Sequence, residues 1–553
     1  MRKFRYVAVM LAAAGVVACE DPLDVKNVNN PNTDDVLATP ADLQNWIRDT
    51  YNAWFRGNYF DNLRPQMFTS ALENHSELAN FNMGPRYLMP RNFIENSRGA
   101  AGTGESNADF VQFHRAARSA ALGLQKLRTI TLGSPGLDAQ ARAFAWFALG
   151  LSNGYLSMVW DSAAVASPDD DPACVSLDCL PQLVGYRQVN AAALANLDSA
   201  EAVALAAPSG AFPIPAAWLR QDAGVSQASF LRLVRSYRAQ IRAGVARTPA
   251  ERAAVDWTRV IADAEAGITA NFQINADPAN NWTISWPVNN FRAGSWHGMH
   301  QFMIGMADTS GEYERWLNTP RASKVQFLIQ TPDRRFPVGA TRTAQQSGTA
   351  VLPPGQYFRN RPPGDDTPGD GLGSSMYDHY RFRAFFNANR IGPYPILTKA
   401  EIDLLAAEGY IRTGDLERAR AKINLTRAAS GLDTIPAGVA LTDPVPGGTR
   451  CVPRVPVWTG TAYQAVCGNI WEALKWEKRM ETAYTGYGNW FIDSRGWGDL
   501  PEGTALDWPV PWQEKDTRRL SFVTVWGGCS RLSTGESAGP STYGPAISCN
   551  PTP

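Results

Sequence analysis

The sequence predicts a mainly α-helical protein with a loop-rich middle. Apolar residues recur at helical spacing between residues 39 and 270 and again from 398 onward. Several of these stripes are built from Ala, Gly and Leu, which lets helices approach closely. Between 271 and 394 the character changes, and Pro, Gly, Asn and aromatic residues dominate.

Each element follows from local signals. Thr39-Pro40 supplies a cap and a first-turn proline, and Asp42 completes a box-like start. Leu43, Trp46, Ile47, Tyr51 and Trp54 then share a face, and Gly57 is expected to close that helix. Further helices are predicted over about 107–127, 138–160, 186–206, 227–243 and 249–270. The stretch Pro353–Gly373 is loop chemistry rather than a repeating element. From Thr398, Ile402, Leu405, Ala406, Gly409 and Tyr410 form one apolar face, and Gly414-Asp415 makes a turn. Leu416, Ala419 and Ile423 form the facing stripe before Gly431. With small Ala407, Gly409 and Ala419 at the meeting face, the pair reads as one tetratricopeptide-type unit, not cleanly repeated elsewhere.

The N-terminus predicts the compartment. Arg2, Lys3 and Arg5 precede an apolar run from Tyr6 to Val17, too short for a permanent membrane helix but suited to a signal peptide over 1–18. The run ends Val16-Val17-Ala18-Cys19, like a bacterial lipobox, so Cys19 is the expected lipid anchor. The alternative is ordinary secretion with Cys19 as a stray thiol. A single acyl chain binds membranes marginally, so firm anchoring needs several chains. The Asn/Pro/Asp-rich segment that follows, within 19–38, reads as a tether.

Composition narrows the partners. Of 52 basic and 52 acidic side chains, three basic ones (Arg2, Lys3, Arg5) leave with residues 1–18, giving 49 against 52 and a net charge of −3. With no Lys/Arg-rich run, nucleic acid is not an expected partner. No later apolar stretch approaches 18 residues, so only the lipid would hold the chain to a membrane. Beyond Cys19 six cysteines remain, which allow 15 connectivities. The simplest scheme is local, Cys174–Cys179, Cys451–Cys467 and Cys529–Cys549. Each pair lies in a Pro/Gly/Ser/Asp-rich loop, and export brings an oxidising compartment. The spacing of Cys174 and Cys179 is not that of a zinc site, and no metal or other cofactor is called for.

Five segments in order resemble the SusD/RagB family of outer-membrane nutrient-binding lipoproteins. They are the lipobox with its tether and Trp/Tyr-rich first helix; Ala143-Phe144-Ala145-Trp146-Phe147 with Gly154-Tyr155 and Trp160-Asp161; and Ala400-Glu401-Ile402 through Leu432. Next come Trp476-Glu477-Lys478-Arg479-Met480-Glu481 with Trp490-Phe491-Ile492-Asp493, and last Pro509-Val510-Pro511-Trp512-Gln513-Glu514. Residues 482–488 and the cysteine-bearing tail after Asp516 depart from the family pattern. The resemblance implies four degenerate tetratricopeptide-like helix pairs cradling a loop-rich, ligand-contacting half. It implies a protein at the cell surface that captures an oligosaccharide or a peptide and passes it to a SusC-like TonB-dependent barrel. It also implies no catalysis. The domains expected are 39–270, an insertion at 271–394, and a C-terminal region at 395–553 carrying the disulfide-bearing tail.

Enzymatic motifs read weakly. Gly150-Leu151-Ser152-Asn153-Gly154 matches GxSxG, yet a nucleophile elbow needs a strand–turn–helix setting and this pentapeptide lies in a helical stretch. His297 and His300 lack a third ligand at metal spacing, and read as a loop pair with ordinary hydrogen bonds. Glu472 and Glu481 fall on opposite helix faces, and Glu477–Glu481 reads as a charged surface or an ion-pair network. A secreted glycan hydrolase is the alternative from a different class. The remaining functional signal is aromatic: Trp282, Trp286 and Trp296, interleaved with Asn289, Asn290 and Arg292. A flat indole covers the C–H face of a sugar while amides and guanidinium pair its hydroxyl rim. These residues are the expected ligand face, with core packing as the competing role. Tyr59 and Tyr87 are secondary candidates.

Overall fold

The first helix, α1 (Pro40–Tyr59), begins as its cap predicts: the Thr39 hydroxyl donates to Asp42 at 2.6 Å and accepts from the Asp42 amide at 3.2 Å. The computed structural model describes residues 37–59, 63–100, 103–174, 176–284, 297–346, 351–364, 366 and 369–551. Helix α1 does not stop at Gly57. A Cβ there would stand 2.9 Å from the Phe113 ring, so this glycine serves a close helix contact, not a turn. After the short α2 (Arg64–Ser70) come α3 (Thr103–Lys126), α4 (Pro135–Val159), α5 (Tyr186–Leu205) and α6 (Gln227–Gly244). The single helix expected over 249–270 is two, α7 (Pro249–Ala253) and α8 (Trp257–Glu265). Thr248 caps the first through Glu251 N, and Asp256 starts the second through Arg259 N. Two N-caps inside one apolar run divide it.

The tetratricopeptide-type pair is present as α9 (Lys399–Arg412) and α10 (Leu416–Ala429), capped by Thr398 and Asp415. Helices α1, α3, α4, α5, α6, α8, α9 and α10 pack in that order, each against the next, and α11 (Ile470–Thr482) closes the series on α9 and α10. The GxSxG segment lies inside α4, where Cβ atoms at Gly150 and Gly154 would meet Leu197 at 2.7 Å and Ile241 at 2.3 Å. Ser152 is fully buried and donates to Ala148 O at 2.8 Å. It is a packing surface. The described strands form six two-stranded antiparallel ladders and no larger sheet.

The three cysteine pairs close as expected, with Cα separations of 5.7, 5.7 and 5.6 Å. The charged run of α11 is not a solvated face. Lys475, Glu477, Lys478, Arg479 and Glu481 are all buried. Arg335 reaches α11 from the loop-rich middle, holding Asp333 at 2.8 Å, Glu477 at 3.0 Å and Glu481 at 3.2 Å. Lys478 bonds Asp493 of α12 (Asn489–Trp497), which also receives Arg252 from α7 at 3.0 Å. Arg252 pairs in turn with Glu408 of α9 at 2.6 Å. Lys475 and Arg479 hold Asp499 at 3.1 and 2.5 Å.

Removing one partner from such a network leaves buried charge uncompensated. Arg335→Leu is expected to cost about 3–5 kcal/mol in denaturant unfolding, whereas Arg315→Leu, at an exposed pair with Glu312, costs under about 1 kcal/mol.

Candidate functional site

Trp282, Tyr59, Tyr87, His297 and His300 are interior. Trp282 is 8% exposed, its ring 5.0 Å from Phe55 and 6.2 Å from Tyr51. It extends the core over α1 and offers no open indole face. Trp286, Trp296, Asn289, Asn290, Arg292 and Cys19 lie outside the described residues. Tyr59 donates to Ile396 O at 3.1 Å and Tyr87 to Asp370 Oδ1 at 2.7 Å, and both rings are buried. His297 and His300 are fully buried, and burial lowers both far below the usual histidine range. Neither ring nitrogen of His300 has a hydrogen-bond partner, so the expected ordinary pairing does not hold for it. The described residues contain no group of three His, Cys, Asp or Glu that could hold a metal.

A different place collects open polar groups. The irregular segment after α2 is stitched to the C-terminal tail: Ile94 and Glu95 pair antiparallel with Trp526 and Val525. Asn96 completes the seam. Its amide donates to Val510 O at 3.3 Å and Val523 O at 3.2 Å, and its side-chain oxygen accepts from Trp512 N at 3.1 Å. Before the seam, Phe81 and Asn82 both adopt left-handed backbone, φ 52° and 56°. For a phenylalanine that costs roughly 1–2 kcal/mol, which the surrounding packing must supply.

These constraints leave a cleft of about 330 Å³ lined by Gln66, Asn82, Arg86, Asn92, Phe93 and Trp508, with Glu95 at its wall. A recess of about 10 Å³, room for one oxygen atom, opens beside it among Ser70, Arg86, Arg91, Thr504 and Trp508. The lining is under-satisfied. Gln66 Nε2, Arg86 Nε, Arg91 Nε and Nη1, Thr504 Oγ1 and Trp508 Nε1 are buried polar atoms without a protein partner. Each such group costs about 1–3 kcal/mol unless water or a ligand meets it. Phe93 is partly exposed beside them. Burial lowers Arg86 to about 10 and Arg91 to about 9, the latter helped by the neighbouring Arg86 charge.

A second groove of about 480 Å³ runs between α3, the Cys174–Cys179 loop and the short helix Trp512–Thr517. Its floor is apolar, with Phe110, Val111 and Leu122. Several of its polar groups are already committed: Trp46 Nε1 to Ser119 O at 2.8 Å, Gln125 to Asp170 O at 3.0 Å, Arg518 to Glu514 at 2.5 Å. His114 Nε2 remains open. The amide cleft differs in that its buried donors are open.

Sequence reasoning missed this cleft. The available signal is the density of Asn82, Arg86, Arg91, Asn92 and Asn96 in an irregular stretch.

No family model matches the sequence, and no curated protein matches it. Solved structures do match. A SusD superfamily protein from Bacteroides vulgatus aligns at TM-score 0.50 and 14% identity, over 83% of this chain and 88% of its own. The chain has the SusD fold. A SusD superfamily protein from Bacteroides thetaiotaomicron aligns over 90% of this chain and 99% of its own, at TM-score 0.49 and 10% identity. A Bacteroides vulgatus structure described as a SusD-like carbohydrate binding protein aligns at TM-score 0.43 and 13% identity, over 83% and 84%. Within this SusD-like chain no described helix is long and apolar enough to cross a membrane.

Trp282 separates core from ligand face. Trp282→Ala is expected to cost about 3–5 kcal/mol of stability, as truncation of a core aromatic does, and to lower the melting temperature. A variant that melts like the wild type but loses ligand would restore Trp282 to the binding face.

Proposed function

We propose that this chain is a non-catalytic surface lipoprotein that captures an oligosaccharide and hands it to a TonB-dependent outer-membrane barrel. The observation that carries the ligand reading is the set of open donors around Gln66, Arg86, Arg91 and Trp508, lining a cleft beside the Phe93 ring. Sugars match such a lining. Their hydroxyls meet amides and guanidinium, and their C–H faces meet an aromatic ring. The SusD fold and the lipobox-like Cys19 support the surface and transport parts of the reading.

Absence of turnover is part of the proposal. Most glycosidases use two carboxylates about 5–9.5 Å apart across the scissile bond. Among the described residues lining the cleft and its recess, Glu95 is the one carboxylate. The reading also keeps Trp286, Trp296, Asn289, Asn290 and Arg292 as additional ligand contacts, on their chemistry and their place in the loop-rich middle.

Phe93→Ala tests the cleft. Loss of one ring–sugar contact is expected to weaken oligosaccharide affinity roughly five- to thirtyfold by calorimetry, equivalent to about 1–2 kcal/mol, with melting unchanged. Unchanged affinity would remove Phe93 from the site. Cys19→Ala tests the anchor: the variant is expected in the soluble extract, and continued pelleting with membranes in high salt would contradict the lipid.

A further inference from the structure

Buried arginines in this protein are generally neutralised. Arg252 faces Glu408 and Asp493, Arg335 faces three carboxylates, Arg361 faces Asp378 at 2.5 Å, and Arg479 faces Asp499. Arg495 has no carboxylate partner, but it donates to Leu506 O, Met158 O and Gly244 O at 2.6–2.7 Å. Its charge is spread over three carbonyl dipoles and directed inward.

Arg91, and beside it the half-buried Arg86, break this pattern. Arg86 gives one bond, Nη2 to Phe93 O at 2.8 Å, and its Nε is buried and open. Arg91 is 4% exposed and gives one bond, Nη2 to Ser70 O at 3.0 Å, leaving Nε and Nη1 open. Neither forms an ion pair among the described residues. Both line the same recess, which adjoins the amide cleft. The nearby Arg321 is already committed to Asp370, and at Arg91 the Arg321 charge is opposed by that of the Asp370 carboxylate. Glu95, partly exposed at the cleft wall, offsets one charge and pairs with neither arginine.

A guanidinium desolvated without a paired anion, as at Arg91, is costly, and an anion arriving between it and the buried Nε of Arg86 removes that cost. Planar guanidinium recognises planar carboxylate with two parallel bonds. The recess has room for one oxygen atom, such as one arm of a carboxylate.

We propose that the cleft selects acidic oligosaccharides, setting the carboxylate of a uronic-acid residue against Arg86 and Arg91. This rests on the glycan-capture reading above and names its ligand class. Hydroxyls of the same or adjoining sugar would use Gln66, Asn82 and Asn92, and the open Trp508 Nε1 and Thr504 hydroxyl lie beside the carboxylate position.

The test is calorimetry on the exported protein with three uronic-acid probes: oligogalacturonate, alginate oligomers and glucuronate-bearing xylan oligomers. Each is paired with its methyl-esterified form, and neutral oligosaccharides and a sulfated oligosaccharide run alongside. At least one free acid is expected to bind roughly ten- to hundredfold tighter than its ester, the range for a hydrogen-bonded charge. Arg86→Gln and Arg91→Gln are expected to erase that preference, and each is checked for an unchanged melting profile. The wild-type acid-versus-ester comparison stands even if Arg91→Gln fails to fold. Equal binding of acid and ester, binding of neutral sugars alone, or preference for sulfate would overturn the acidic-sugar assignment while leaving glycan capture intact. No binding by any glycan would overturn both.

Discussion

The structure turns on helix α11, whose charges have been taken out of water. Lys475, Glu477, Lys478, Arg479 and Glu481 crowd two turns of one helix, and all are buried. A buried ion is tolerated only when partners surround it, so this helix dictates where its neighbours must be. Arg335 fixes the loop-rich middle to it, and Arg252 with Asp493 fixes α7 and α12. Glu408, bonded to Arg252, brings in the tetratricopeptide-type pair.

The same helix sets the position of the cleft. Lys475 and Arg479 anchor Asp499, from which the C-terminal tail departs. A few residues on, Trp508 N donates to Val159 O at 2.9 Å, and Val510 N donates to Asp161 Oδ1 at 2.9 Å. The tail is therefore fastened to the end of α4 before it reaches Asn96. Asn96 then draws the 80–96 segment onto the tail and leaves Gln66, Arg86, Arg91 and Trp508 around shared empty space. A rigid helical stack thus presents a small polar cleft built from two irregular segments. Function on loops held by a packed scaffold is the expected arrangement for a binding protein.

Local chemistry made much of the fold legible. The cap at Thr39, the helix start at Thr398, the turn at Gly414-Asp415, the apolar stripes and the cysteine pairs are short-range signals, and each appears where the sequence places it. Errors arose where a residue's role depends on a distant neighbour. Gly57 resembles a helix stop until Phe113 packs on it. The sequence leaves Glu477–Glu481 as either a charged surface or an ion-pair network, since both have the same pattern, and distant partners such as Arg335 and Asp493 decide for the network. The cleft was hidden for the same reason: Asn96 bonds Val510 across 414 residues. Trp282 shows the converse, a residue with the right chemistry for sugar whose faces are spent on Tyr51 and Phe55.

If ligand enters at the seam between residues 80–96 and the C-terminal tail, a crystal structure with an oligosaccharide bound will show sugar density within hydrogen-bond distance of Gln66, Arg86 and Asn92, with a ring of the glycan against Phe93. Density in the apolar groove beside the Cys174–Cys179 loop, with the seam filled only by water, would contradict it.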